Sequence, residues 1–175
     1  MSARSVIAPP ITARWQPAIG NPLVADVSSQ PVMADRLRLE EQLCFALYAA
    51  TNEIVRVYRP LLAELGLTYP QYLLLMALWQ HDDQTVTQLA GTLKLPGHGL
   101  LPVLTRLEKA DLLRRRRDSS ERRVVRITLT PDGRTLERQA AQVQHRVACQ
   151  TRLVPSALAE LRMQLHHLAD DLGRD

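Results

Sequence analysis

The sequence predicts a mainly α-helical chain that carries one small β-hairpin, and three observations predict it. Apolar residues recur at helical spacing through long stretches rich in Leu, Arg, Glu and Gln; Gly numbers only 7; and two short segments near residue 120 switch to two-residue alternation. The 175 residues are 46% hydrophobic, enough for one domain with a core, and only 4% aromatic, so that core is mostly Leu, Val and Ala.

Residues 1–34 read as a disordered tail. Pro9, Pro10, Pro17, Pro22 and Pro31 leave no helical period, and Val6-Ile7-Ala8 is stopped by Pro9, short of the apolar core of about 7–15 residues that a signal peptide needs. Met33, at the junction, is a candidate for the true start. A single structured domain is expected over 35–175. Its first long helix runs from Asp35, a plausible N-cap, to about Leu65, with Leu39, Leu43, Leu47, Ile54, Tyr58 and Leu61 mostly at helical spacing. Pro60 is expected to kink it near the end, and Gly66 fits the stop.

Thr68-Tyr69-Pro70-Gln71 and Thr85-Val86-Thr87-Gln88 each have the form of a capping box: Thr at the cap and Gln three residues on. They open helices ending near Gln80 and Leu93. A third short helix follows Pro96-Gly97 and ends near Asp111, with Leu100, Leu104 and Leu107 inward. Two short helices joined by a tight turn make a helix-turn-helix. Leu112–Arg117 and Arg123–Thr130 then pair as a hairpin around a short polar turn, so the module is winged. Thr130-Pro131 opens a helix reaching about Leu153, and Pro155 opens the last, to about Leu172. The terminal helices, 35–66 and 131–172, are long, leucine-rich and outside the compact module. A second copy of the chain would cover them, so a homodimer is expected.

Formal net charge is +4, but between Lys94 and Arg126 stand 10 Lys/Arg against 4 Asp/Glu. The basic excess is therefore concentrated on the hairpin and the helix before it. Arg114, Arg115, Arg116, Arg117, Arg122, Arg123 and Arg126 suit a wing against double-stranded DNA, because the guanidinium fork pairs with phosphate. No apolar run reaches the ~18 residues of a membrane span, so no membrane partner is expected. Two cysteines, Cys44 and Cys149, are too few for a disulfide scaffold. Each is a buried or incidental thiol, or a reactive one. His145 and Cys149 are four apart on one helix face, but no second such pair exists, so neither metal nor cofactor is expected. His145 would then bear on the Cys149 thiol instead. All four tyrosines, Tyr48, Tyr58, Tyr69 and Tyr72, lie within 28 residues of Cys44.

Arg123-Val124-Val125-Arg126-Ile127-Thr128-Leu129 followed by Thr130-Pro131-Asp132-Gly133 resembles the wing and exit of the MarR family. Within that family, Gln42-Leu43-Cys44-Phe45-Ala46-Leu47-Tyr48, Tyr58-Arg59-Pro60-Leu61-Leu62 and Leu67-Thr68-Tyr69-Pro70-Gln71-Tyr72 resemble the organic hydroperoxide resistance regulators. The likeness covers about Leu39 to Leu153. It implies a cytoplasmic DNA-binding repressor, not an enzyme, whose inducer is an organic hydroperoxide. It implies that Cys44 is oxidised, that Tyr58 and Tyr69 of the other subunit, with Tyr48 a weaker candidate, hydrogen-bond its thiolate, and that Cys149 closes an intersubunit disulfide. One departure stands out. The family opens its recognition helix with Asp-Ser-Gly-Thr-Leu-Thr-Pro, whereas this chain has Pro96-Gly97-His98-Gly99-Leu100-Leu101-Pro102. The hydroxyl donors are gone, so base reading falls to His98, Thr105 and Arg106, beside backbone contacts from Arg115, Arg117, Arg122 and Arg123. In the wing, Glu121 stands where the family carries Asp, beside Arg123. Three other readings fit part of these residues: a regulator that binds a small aromatic acid, a thiol peroxidase using both cysteines, and an architectural DNA-binding protein without a sensor.

Overall fold

The computed structural model describes residues 38–118, 121 and 123–173. The tail expected over 1–34, the Asp35 cap and Arg122 lie outside the described residues. Residues 38–42 close a first unit that ends at Gln42: they form a single 3-10 turn, Leu39–Glu41, with Arg38 and Gln42 extended on either side. Arg38 pairs there with Glu40 at 2.6 Å.

The second unit begins at Leu43. Its elements are α1 (Leu43–Ala63), α2 (Tyr69–Gln80), β1 (Gln84–Thr85), α3 (Val86–Thr92), α4 (Gly97–Lys109), β2 (Leu113–Arg117), β3 (Val125–Leu129), α5 (Pro131–Gln150) and α6 (Pro155–Leu172). The first long helix therefore starts at Leu43 and not at Asp35, because the extended backbone at Gln42 cannot continue α-helical hydrogen bonding. Cys44 is therefore the second residue of α1.

The other helix starts follow their caps. Gln71 Oε1 accepts from Thr68 N at 2.7 Å, and Gln88 N donates to Thr85 Oγ1 at 3.1 Å. Thr130 caps α5 by accepting from Gly133 N at 3.1 Å while its hydroxyl donates to the Asp111 carbonyl at 2.6 Å. Pro155 stands at the start of α6. Gly66, at φ +68°, takes the left-handed conformation that ends a helix at low steric cost.

The sheet has three antiparallel strands in the order β1-β3-β2. Leu113 faces Leu129 and Arg115 faces Ile127 across the hairpin, while Gln84 pairs with Ile127 on the other edge. The alternation read from β3 holds: Ile127 and Leu129 are buried and Arg126 and Thr128 are not. The core lies where α2, α3, α4 and the sheet converge. Leu62, Leu74, Leu75, Leu78, Leu89, Leu104, Leu107 and Leu113 are fully buried there, each side chain contributing about 1.5–3 kcal/mol of transfer free energy. α5 adds Ala140, Val143 and Val147.

The terminal helices differ from this core. α1 buries only Leu61 and Leu62, near its end, and leaves Leu43, Tyr48 and Ile54 exposed. α6 buries no residue, with Leu161, Met163, Leu165 and Leu172 exposed. Among the described residues, no helix is long and apolar enough to cross a membrane.

Candidate functional site

Two constellations matter, a basic surface on α4 and the hairpin, and a set of thiols and phenols on α1, α2 and α5. On α4, Leu100, Leu104 and Leu107 anchor one face in the core. His98, Leu101, Pro102 and Thr105 therefore share the opposite face, at i, i+3, i+4 and i+7. His98 and Arg106 are exposed and without a partner among the described residues. Thr105 is half-buried and engaged twice: its hydroxyl donates to the Leu101 carbonyl at 2.9 Å and accepts from Arg115 at 3.1 Å.

Arg115 points inward. Its Nε donates to Glu108 at 2.8 Å, its backbone N–H to the same carboxylate at 3.2 Å, and it is largely shielded. The pair bolts β2 onto α4, and Arg115 holds the Glu108 carboxyl below the usual carboxylate range. Arg126 is likewise committed: Nε donates to Asp118 at 2.6 Å and Nη1 to the Asp83 carbonyl at 2.7 Å. Asp118 also accepts from Glu121 N at 3.3 Å, so an aspartate holds the backbone at Glu121. Glu121 and Arg123 form no ion pair. Arg117 and Arg123 are exposed and have no ion pair among the described residues. The arginine cluster thus divides into structural members, Arg115 and Arg126, exposed members paired with Asp111 and Asp83, Arg114 and Arg116, and outward ones without an ion pair among the described residues, Arg106, Arg117 and Arg123.

The exit of the wing is tightly packed. Asp82 accepts from Leu129 N at 2.9 Å and pairs with Arg134 at 2.7 Å, and Trp79 Nε1 donates to the Gly133 carbonyl at 2.8 Å. A Cβ on Gly133 would lie 2.0 Å from the Leu112 carbonyl oxygen.

Both cysteines are exposed and reduced. Cys44 lies in the first turn of α1. Tyr58 lies 14 residues further along the same helix, about 21 Å away at 1.5 Å per residue. There it packs against Tyr69 and Tyr72, with ring centroids 5.1 and 5.5 Å apart. Burial pushes the Tyr58 phenol well above its ordinary value, and the Tyr72 and Tyr69 phenols add in the same direction. Burial also raises Tyr69 and Tyr72, so all three stay protonated donors at neutral pH. Tyr48, 66% exposed, stands apart from the cluster. Tyr72, not singled out from the sequence, belongs to it; its i, i+3 spacing from Tyr69 was the available signal.

Cys149 lies in the last turn of α5, with Sγ 4.0 Å from His145 Nδ1. Arg146, one turn before it, pairs with Glu64 just beyond the end of α1 at 3.6 Å. Cys44 opens α1 and Cys149 closes α5, and both are free in this chain. No group of three or more His, Cys, Asp or Glu able to hold a metal occurs among the described residues. A cleft of about 160 Å³ between α2 and α5, lined in part by Tyr72, Met76, Trp79 and Ala140, is small beside the roughly 300–1,000 Å³ of typical ligand pockets.

A family model for the SarA/Rot transcriptional regulators matches residues 56–139. The organic hydroperoxide resistance transcriptional regulator of Bacillus subtilis is 38% identical over 138 residues, covering 79% of this chain and 94% of that protein. Among solved structures, overoxidised AbfR bound to DNA shares 32% identity at a TM-score of 0.61 over 77% of this chain and 98% of its own. AbfR, a Staphylococcus epidermidis protein, has also been solved with a disulfide formed, at 30% identity and a TM-score of 0.57, over 78% of this chain and 95% of its own. MarR of E. coli, at 20% identity and a TM-score of 0.59, over 73% of this chain and 96% of its own, shows the same fold.

Proposed function

We propose, since the chain belongs to the MarR family of winged-helix transcriptional regulators, that it is a homodimeric repressor which releases operator DNA when an organic hydroperoxide oxidises Cys44. Its relatives are DNA-binding regulators rather than enzymes. One observation carries the sensor reading: Cys44 is exposed in the first turn of α1, on the half of that helix whose apolar residues no described residue buries. A second subunit that covered this half and the exposed leucines of α6 would remove Leu43, Tyr48, Leu161 and Leu165 from water. Such a subunit would also supply a Tyr58 to Cys44, since Tyr58 of the same chain lies about 21 Å further along α1.

The chemistry balances with the peroxide as oxidant. The Cys44 thiolate attacks the terminal peroxide oxygen; an S–O bond forms, the O–O bond breaks, and the alkoxide leaves with a proton as the alcohol. The Cys149 thiolate of the partner subunit then attacks the sulfenic sulfur, an S–S bond forms, and water leaves. α5 links this event to DNA. It begins at the wing exit, capped by Thr130, and ends at Cys149 and Gln150. Drawing its last turn toward the partner's Cys44 therefore moves the wing as well.

Purified protein should bind operator DNA when reduced, lose it on adding an organic hydroperoxide, and run as a covalent dimer on a non-reducing gel. Tyr58→Phe and Tyr69→Phe should be slow sensors rather than broken repressors. A hydrogen bond to a charged group contributes about 1.5–3 kcal/mol, so each variant should oxidise roughly ten- to a hundredfold more slowly with unchanged DNA affinity. DNA binding indifferent to hydroperoxide would end the sensor reading, and oxidation at the parent rate in both variants would end the tyrosine role.

The arginines should separate by what they already touch. Arg117→Ala and Arg123→Ala should each reduce the salt slope of DNA binding by roughly 1, evenly across sequences. Arg122, outside the described residues, is assigned to the same group. Arg115→Ala should instead behave like Glu108→Ala, lowering thermal stability and misorienting β2. Salt titrations with unaltered slopes for Arg117→Ala and Arg123→Ala would take the wing off the phosphates.

A further inference from the structure

We infer that Leu101 is a specificity-determining residue that reads thymine methyl groups in the major groove, an inference that rests on the DNA-binding reading of α4. The outward stripe of α4 consists of His98, Leu101, Pro102 and Thr105, because the opposite face is locked into the core by Leu100, Leu104 and Leu107. Leu101 stands midway along that stripe and is 50% exposed, a large apolar side chain that the described residues leave half in water.

The stripe is short of hydrogen-bonding groups. The Thr105 hydroxyl is already engaged on both sides, donating to the Leu101 carbonyl and accepting from Arg115. The Glu108 carboxylate holds Arg115 in that position. What Thr105 retains for a base edge is its methyl group. Pro102 offers only ring carbons, and Leu101 only its isobutyl group. His98 at the start of α4, Arg106 beside the stripe and Lys109 at its end are the polar readers left. In the major groove the one apolar feature of any base is the C5 methyl of thymine. A helix that presents Leu101 and Pro102 side by side on its outward stripe thus recognises methyls within each half-site, with polar reading beside them.

The test uses full-length reduced protein and a duplex that it selects from random sequence. Each thymine of that site is replaced in turn by uracil, which deletes the methyl and leaves pairing unchanged. Wild-type protein should lose about fourfold in affinity at one or two positions per half-site, the equivalent of ~0.8 kcal/mol for one buried methyl. Leu101→Ala should bind the thymine site as weakly as wild type binds the uracil site, and should be indifferent to the replacement. His98→Ala should keep the full uracil effect. Wild-type binding insensitive to uracil throughout, or a uracil effect undiminished in Leu101→Ala, would overturn the assignment while leaving DNA binding in place. Failure to select any sequence would overturn it together with the DNA-binding reading.

Discussion

Cys44→Ser should bind operator DNA with the affinity of the reduced parent and show no loss of binding at hydroperoxide concentrations that empty the parent's operator. A hydroxyl forms no sulfenic acid, so the first bond-making step is missing and nothing downstream follows. DNA affinity should be spared because Cys44 lies on α1, whereas the outward arginines lie on α4 and the hairpin. Cys149→Ser makes the complementary case. It should respond at first, since the Cys44 sulfenic acid still forms. Without a resolving thiol it should pass on to the sulfinic state and stop recovering when a dithiol is added. Operator occupancy measured before and after hydroperoxide, then after reduction, separates the three proteins. A Cys44→Ser variant still released by hydroperoxide would show that the sensor lies elsewhere in the chain.

Gly133→Ala should lose at least about 3 kcal/mol of stability, a penalty at the upper end of ordinary overpacking. The added methyl would stand 2.0 Å from the Leu112 carbonyl oxygen and 3.3 Å from Leu129 Cδ2. Neither neighbour can yield cheaply. Leu112 is held by backbone hydrogen bonds from Leu112 N to Leu107 O and from Thr130 N to Leu112 O. Relief would require the first turn of α5 to retreat, breaking the Trp79–Gly133 and Thr130–Gly133 hydrogen bonds. A melting temperature lowered by roughly 10 °C is expected for a domain of this size. DNA binding should weaken with it, because the same contacts set the wing on the helices. A variant melting with the parent would mean that the wing exit is looser than its packing indicates.

The boundaries of most elements were legible because their signals are local. Thr68, Thr85 and Thr130 each reach only three residues ahead, so a capping motif can be read without knowing the fold. The start of α1 was not legible. Leucine spacing continued through Leu39, but periodicity records which residues would share a face, not whether the backbone at Gln42 is helical. The two-residue β1 was too short for any alternation, and exists only because β3 offers it an edge.

By itself, the sequence determined the order of helices, the hairpin and its basic character, the family, and the thiols and phenols worth attention. These depend on residue type and short spacing. Tertiary structure alone decided which of those residues are free to act. It turned Arg115 toward Glu108 and Arg126 toward Asp118, leaving Arg106, Arg117 and Arg123 outward. It gathered Tyr58, Tyr69 and Tyr72 into one cluster, yet kept Tyr58 about 21 Å along α1 from Cys44 of the same chain. The reason is physical: an ion pair or a ring contact joins residues by distance in space, and a rigid helix such as α1 can hold residues of one motif about 20 Å apart.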